Sequence, residues 1–249
     1  MTLVGNMPRF FVDSVSGNTI SIRGNDAYHI GRSLRMRIGD IITVCADRVE
    51  YRAKILSISD KEVVCDVLSA EKSENEPTVN VVLYQALPKS DKMDLIVQKA
   101  VELGVYKIVP VITARCVSRP AKSGYEKRVE RYNKIALEAA KQSGRGIVPT
   151  VSEFMTINEV IEKSKEFDLF FVPYECEEQK TLKEILTSKS DVKSVGFVIG
   201  PEGVFDLSET EKLHSSGIDT VTLGKRILRT ETAGEAVLAM TMYEIGDIN

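Results

Sequence analysis

Residues that usually signal metal or redox chemistry are scarce in this sequence. There are two histidines, His29 and His214, far apart in the chain, and four cysteines, Cys45, Cys65, Cys116 and Cys176, with no CxxC pair among them. That spacing supports neither a zinc site nor a disulfide framework, and it fits a reducing, cytoplasmic compartment. The expectation is therefore no metal, with the two histidines as a surface and a structural residue rather than a catalytic pair. No run approaches the ~18 apolar residues of a membrane span, and the start MTLVGNMPRFFV lacks a basic region followed by an apolar stretch, so no membrane is expected. The second half has no GxGxxG after its first strand. GxxxxGK[ST] and GxSxG are missing too, which leaves a dinucleotide site, a P-loop and a nucleophile-elbow hydrolase without support.

What is present has globular balance. At 249 residues the chain is comfortable for two domains, and 43% hydrophobic with 28% charged residues disfavours a disordered tail or a coiled-coil rod. The formal charge of −3 excludes a uniformly basic nucleic-acid coat, but its distribution is uneven. Residues 107–145 hold ten basic residues against Glu126, Glu130 and Glu138, a local +7 that leaves −10 on the rest of the chain. On a helix expected over 125–143, Lys127, Arg131 and Lys134 share one face with Arg128 beside them. Such a face is either simply solvated or a contact for phosphate backbone.

Residues 9–12, 19–23, 38–45, 50–57 and 63–68 are β-rich runs parted by turn signals, with one helical piece over 27–34. A small β-barrel gives so short a sheet no open edges. The polar run 71–77 has nothing to bury and marks a boundary, giving domains 1–72 and 73–249. Beyond it the period changes. Buried-type strands over 79–85, 105–111, 168–172, 195–199 and 220–223 alternate with helices that include 91–103, 125–143 and 231–244. Ser90 is placed to cap the first of these, and Thr156…Glu159, Thr181…Glu184 and Ser208…Glu211 match capping boxes at three further helix starts. The alternation predicts an α/β domain with a mostly parallel sheet and helices on both faces.

In such a sheet ligands bind where loops leave the carboxyl ends of strands. Ile199-Gly200-Pro201-Glu202-Gly203 and Leu223-Gly224-Lys225-Arg226-Ile227-Leu228-Arg229-Thr230-Glu231-Thr232 stand at such ends. Either alone reads as a strand-to-helix turn; both in one half-domain, one with two arginines beside a helix start, weigh toward a ligand site.

With these residues in view, the chain resembles the RsmE-type ribosomal RNA methyltransferases of the SPOUT superfamily. The likeness runs in order through Met7-Pro8-Arg9-Phe10-Phe11, His29-Ile30-Gly31-Arg32-Ser33-Leu34-Arg35, Pro88-Lys89, Lys99-Ala100-Val101-Glu102-Leu103-Gly104 and both loops. It implies a PUA-like RNA-docking barrel, then a SPOUT domain whose last segment threads a trefoil knot, acting as a homodimer. It also implies S-adenosylmethionine as cofactor and methylation at N3 of a uridine in small-subunit (16S) ribosomal RNA, free or in the small ribosomal subunit. Carried over by position, Ile199, Gly200, Pro201, Glu202 and Gly203 form one wall of the cofactor pocket, Leu223, Gly224, Ile227 and Leu228 the other, and Val172 and Pro173 approach the adenine. Where such families often have a second glycine after Gly203, this chain has Val204.

Methylating N3 removes a proton and spreads charge onto the flanking carbonyl oxygens. Arg229 is the expected stabiliser of that charge, and Glu231 is either the base or a helix-start residue. Arg9, Arg32, Arg35, Lys89, Lys92, Arg115, Arg145 and Arg226 are candidate RNA contacts. Two rival readings are a non-catalytic RNA-binding protein, which need not keep both loops, and a SPOUT enzyme acting on tRNA.

Overall fold

Period-two alternation builds the first sheet. In β2 (Thr19–Arg23) only Ile20 and Ile22 turn inward. The same inward row is supplied by β1 (Arg9–Phe11), β3 (Ile41–Ala46), β4 (Val49–Ile58) and β5 (Glu62–Lys72), which place Phe10, Ile42, Val44, Ala53, Ile55, Val63 and Cys65 in one core. Full burial of such side chains is worth about 1.5–3 kcal/mol each. The computed structural model describes residues 7–117, 119 and 121–248; the first six, part of the start read for a leader, lie outside these. The strand order is β1-β3-β4-β5-β2, with β1 and β3 parallel and the rest antiparallel. Register shifts between Arg52 and Ala53 and between Ile55 and Ser57 let β4 curl. Among the described residues no ladder joins β1 to β2, so the sheet is a curled half-barrel. The expected helix over 27–34 is one α-turn, α1 (Asn25–Tyr28), continued by a π-turn over His29–Ser33.

The chain forms two compact units. The first comprises the residues up to Glu76 together with Ala140–Val148, and the second comprises Pro77–Ala139 and the chain from Pro149 onward. The polar run 71–77 is therefore not a solvated linker. Ser73 is buried and donates to Glu50 Oε1 (2.7 Å), which also corrects the idea that this run has nothing to bury. The Glu76 carboxylate accepts from Arg145 Nε and Nη2 (2.9 and 2.7 Å) and from the Gly146 and Ile147 amides. Gly146 fits there because a Cβ would lie 2.3 Å from Ser73.

In the second unit β6 (Asn80–Ala86) and β11 (Ser194–Ile199) are apolar almost throughout, as strands covered on both faces must be. With β7 (Lys107–Ile112), β8 (Thr150–Val151), β10 (Leu169–Pro173) and β12 (Asp219–Val221) they form the order β12-β10-β11-β6-β7-β8, and β9 (Met155–Thr156) also pairs β7. Every pairing is parallel. The helices are α2 (Lys92–Glu102), α3 (Tyr125–Ser143), α4 (Ile157–Ser164), α5 (Leu182–Leu186), α6 (Leu207–Ser215) and α7 (Thr230–Ile245). Capping boxes close at Thr156/Glu159 and Thr181/Glu184 as expected. The third forms at Asp206/Glu209 and not at Ser208/Glu211, because Asp206 precedes the first helical residue. Ser90 caps nothing: it sits at φ +55°, and Asp91 takes the N-cap without a side-chain bond.

Candidate active site

Because all strands of the second sheet run the same way, the loops after β6, β10, β11 and β12 emerge along one edge. They enclose a cavity of about 1100 Å3. Its walls include Pro173, Tyr174, Glu175, Glu177 and Glu178 from one loop and Ile199, Gly200, Pro201, Glu202, Val204 and Phe205 from the next. Thr222 to Thr230, Ala233 and Lys92 complete it.

The Ile199–Asp206 loop is held from several sides. Phe205 is buried with its ring against Gly200, where an added Cβ would stand 3.1 Å from the ring. Val204 donates its N–H to Pro201 O (3.1 Å) and sits at φ +63°, a left-handed conformation that a β-branched residue rarely takes. Arg115 Nη1 donates to Gly203 O (3.2 Å), and its Nη2 lies 3.5 Å from Asp206. Behind the wall, Gln85 Nε2 donates to Thr230 Oγ1 (2.9 Å), which donates to Gly200 O (2.7 Å). Those two bonds tie the end of β6, the start of α7 and the loop after β11. Gln85 Oε1 is buried with no partner, and Gly234 leaves room for it, since a Cβ there would lie 3.2 Å away.

Charged groups gather at the rim. Lys92 Nζ lies 3.0 Å from Glu231 Oε2 and 3.3 Å from Glu202 Oε1, and the Lys89 amide donates to Glu202 Oε1 (3.0 Å). Burial alone would raise the Glu202 carboxyl, but hydrogen bonds from the Lys89 and Glu202 amides and from Lys92 hold it below the usual carboxylate range. Glu231 behaves alike: burial opposes ionisation, while its own N–H, Lys92 and Arg229 outweigh it. Glu177 is held down at about 2 by the Thr220 hydroxyl and the Gln179 and Lys180 amides, so it braces its loop as a carboxylate. Gly224, at φ +98°, supplies the left-handed turn that starts the last loop.

Of the expected cofactor residues, Pro173, Ile199, Gly200, Pro201, Glu202, Leu223, Gly224, Ile227 and Leu228 line the cavity. Val172 does not: it is 1% exposed and packs in the core with Val198 and Phe205. Gly203 is not among the lining residues, and a Cβ added there would lie 3.7 Å from the Arg115 side chain. Arg229 lines the cavity, and Glu231 stands beside it through Lys92.

The RNA candidates divide. Arg226 and Lys92 line the cavity, Arg32 pairs with Asp60 at the surface, and Arg35 and Lys89 are exposed. Arg145 is 3% exposed and bound to Glu76, so it is a fold residue and not an RNA contact. Arg9 is likewise taken up, by Glu50, Cys45 Sγ and Arg145 O. The local +7 is also partly neutralised in space, because Asp26 pairs Lys141, Asp94 and Asp91 pair Arg131, and Asp206 pairs Arg115. His29 and His214 are both exposed, and His214 sets its ring edge-on to Tyr174 of the cavity wall (6.3 Å between centroids).

Sequence reading did not single out Gln85, Tyr174 or Glu177 as parts of the site, and it held Thr230 only as a member of the second loop. Gln85 had a signal: Asn80 opens the strand at its exposed end, but Gln85 is an amide near the far end of an otherwise apolar buried run. No group of three or more His, Cys, Asp or Glu side chains suited to a metal occurs among the described residues, and no helix there is long and apolar enough to cross a membrane.

Comparison with known proteins agrees with this arrangement. Residues 74–242 match the family described as RNA methyltransferase domain, and residues 22–68 match RNA methyltransferase PUA domain. The chain is 34% identical over 248 residues to ribosomal RNA small subunit methyltransferase E of Bacillus subtilis, covering 96% of this chain and 97% of that protein. A crystal structure of ribosomal RNA small subunit methyltransferase E from Neisseria gonorrhoeae bound to S-adenosyl methionine superposes with a TM-score of 0.87 at 30% identity, covering 98% of this chain and all of that one. A methyltransferase from Legionella pneumophila in complex with the same cofactor gives 0.87 at 26% identity over 97% and 99% of the two chains. A parallel sheet with a glycine-looped cavity at its carboxyl edge, a family match over most of the chain and full-length relatives at this identity lead to one conclusion: the chain belongs to the family of RNA methyltransferases that includes ribosomal RNA small subunit methyltransferase E.

Proposed function

We propose that this chain transfers a methyl group from S-adenosylmethionine to N3 of a uridine in small-subunit (16S) ribosomal RNA. The observation that carries this reading is the cavity itself, walled by the two glycine-bearing loops and lined by Arg229, with Glu231 held next to it by Lys92, in a chain of this family. The lining suits the cofactor: Ile199, Leu223 and Leu228 offer apolar surface for a flat base, and Glu175 and Glu178 offer acceptors to a cationic or hydroxylated ligand. When bound, the cofactor supplies an activated methyl group on a sulfonium.

The chain's own residues then have three tasks. The loops hold the reacting atoms in line and keep water out. Arg229 faces the cavity and stabilises charge that spreads onto the uracil oxygens as N3 loses its proton. Glu231, ionised and fixed by Lys92, is the acceptor for that proton. Because the N3 edge is used in base pairing, the target uridine must be unpaired or extruded. Arg32, Arg35, Lys89, Arg115 and Arg226 are the RNA-facing candidates that remain.

Three further features belong to this reading. The last segment threads a trefoil knot, supported by α7 returning to pack on α2, β6 and β11 after β12 closes the sheet edge; a crystal structure with an unknotted trace contradicts it. The protein is a homodimer, supported by exposed Leu95 on α2 and Met240 and Tyr243 on α7; a monomer mass at micromolar concentration by sedimentation contradicts it. Its compartment is the cytoplasm, which cell fractionation checks. The reaction is tested by incubating the protein with radiolabelled S-adenosylmethionine and small-subunit RNA or particles, then digesting to nucleosides. N3-methyluridine is the expected product, and its absence from every ribosomal substrate overturns the reading.

A further inference from the structure

We propose that Lys92 is a positioning residue that ties the two walls of the cavity together, fixing Glu202 on one and Glu231 on the other. The three residues come from three distant segments: Lys92 opens α2, Glu202 lies in the loop after β11, and Glu231 is in the first turn of α7. One ammonium lies 3.0 Å from Glu231 and 3.3 Å from Glu202. Among the described residues no other cation stands within ion-pair distance of either carboxylate. An ammonium has three donors on a long stem, which suits a bridge between two acceptors that move with separate loops.

Among the described residues these loops are also tied by a direct hydrogen bond, from Thr230 Oγ1 to Gly200 O. The hydrogen bond fixes the inner ends of the walls, while Lys92 fixes the outer rim, where the loop after β12 is exposed at Lys225, Arg226 and Ile227. Lys92 was a candidate for RNA phosphate, and its setting argues against that role, because two carboxylates within 3.3 Å already share its charge and repel a phosphate. An ion pair that keeps contact with solvent adds little to overall stability, so the effect of the bridge is on loop geometry.

The inference rests on the cavity being the methyl-transfer site, but its first test does not. In this 249-residue chain without cofactor, hydrogen exchange of the amides at 202–204 and 227–231 is expected to quicken about tenfold in Lys92→Met and to return in Lys92→Arg. Calorimetry is expected to show S-adenosylmethionine binding weakened about tenfold in Lys92→Met, with a further drop in the single-turnover rate at saturating cofactor and RNA. The salt dependence of RNA binding should keep its slope. Unchanged exchange and cofactor affinity overturn the proposal, and so does a salt slope reduced by about one, which marks a phosphate contact. Should Lys92→Met fail to fold, Glu202→Gln is the second variant: it must loosen the 202–204 amides, and unchanged exchange there likewise overturns the bridge. If the exchange and cofactor results hold while no N3-methyluridine forms, the assigned reaction fails and the bridge stands.

Discussion

In the first unit the Arg145 and Glu76 side chains are about 4% and 5% exposed, whereas Lys92, Glu202 and Glu231 at the cavity rim keep 31%, 22% and 16%. The groups are of the same kind and the distances similar, yet their surroundings separate their roles. Burying Arg145 and Glu76 removes both from water, and the Glu76 carboxylate is satisfied only because two amides join the guanidinium. Such a pair fixes where residues 140–148 lie and becomes costly to break. The rim pairs keep contact with solvent, cost less to form, and hold the two cavity walls in register. Burial therefore decides which charges hold the fold and which serve the site.

The comparison breaks most visibly at its buried side. Arg145→Ala leaves Glu76 buried without its cation and is expected to cost about 3–5 kcal/mol, read as a lower urea midpoint, while the folded fraction keeps its cofactor affinity. A loss below 1 kcal/mol contradicts the division of roles. Next in size is Arg229→Ala, which should lower the single-turnover rate about 10²–10³-fold with cofactor affinity nearly unchanged. An unchanged rate at saturating RNA and cofactor removes Arg229 from the mechanism.

Thr230→Val keeps the shape but strips the bond to Gly200 O and the acceptor for Gln85, so S-adenosylmethionine should bind about tenfold more weakly, and Thr230→Ser should recover it. An acid titration sharpens the comparison further. Glu177 has its folded value depressed to about 2 by the Thr220 hydroxyl and two amides, so its contribution is full above the ordinary carboxylate value and is lost as pH falls toward 2. Glu177→Gln should therefore flatten the pH dependence of stability between about 4.5 and 2. The smallest effect is expected at Val204, where Val204→Gly relieves a left-handed β-branched residue and should raise the melting temperature by about 2 °C; a fall of that size shows that the valine side chain matters more than its backbone.

What could be read from the sequence was local. The strand alternation, the two glycine-bearing loops and the boxes at Thr156 and Thr181 depend on residues within a few positions of each other. The third box shifted to Asp206 because two overlapping patterns fit and only the actual helix start chooses between them. Long-range pairing was hidden. Arg145 finds Glu76 across 69 positions, Lys141 finds Asp26 across 115, and Lys92 finds Glu231 across 139. A charge count over 107–145 therefore overstated the free positive charge, since it summed cations whose partners lie elsewhere in the chain. Val172 shows the same limit in the apolar residues: it neighbours Pro173 of the cavity wall, but strand alternation turns its side chain into the core.

The division between fold charges and site charges is tested most directly by measuring urea stability and S-adenosylmethionine affinity on two variants side by side, Arg145→Ala and Lys92→Met. The predicted result is a crossed pattern, in which the first loses stability by about 3 kcal/mol or more and keeps its affinity when folded, while the second keeps its urea midpoint and loses about tenfold in affinity. Both variants losing stability and affinity together contradicts it.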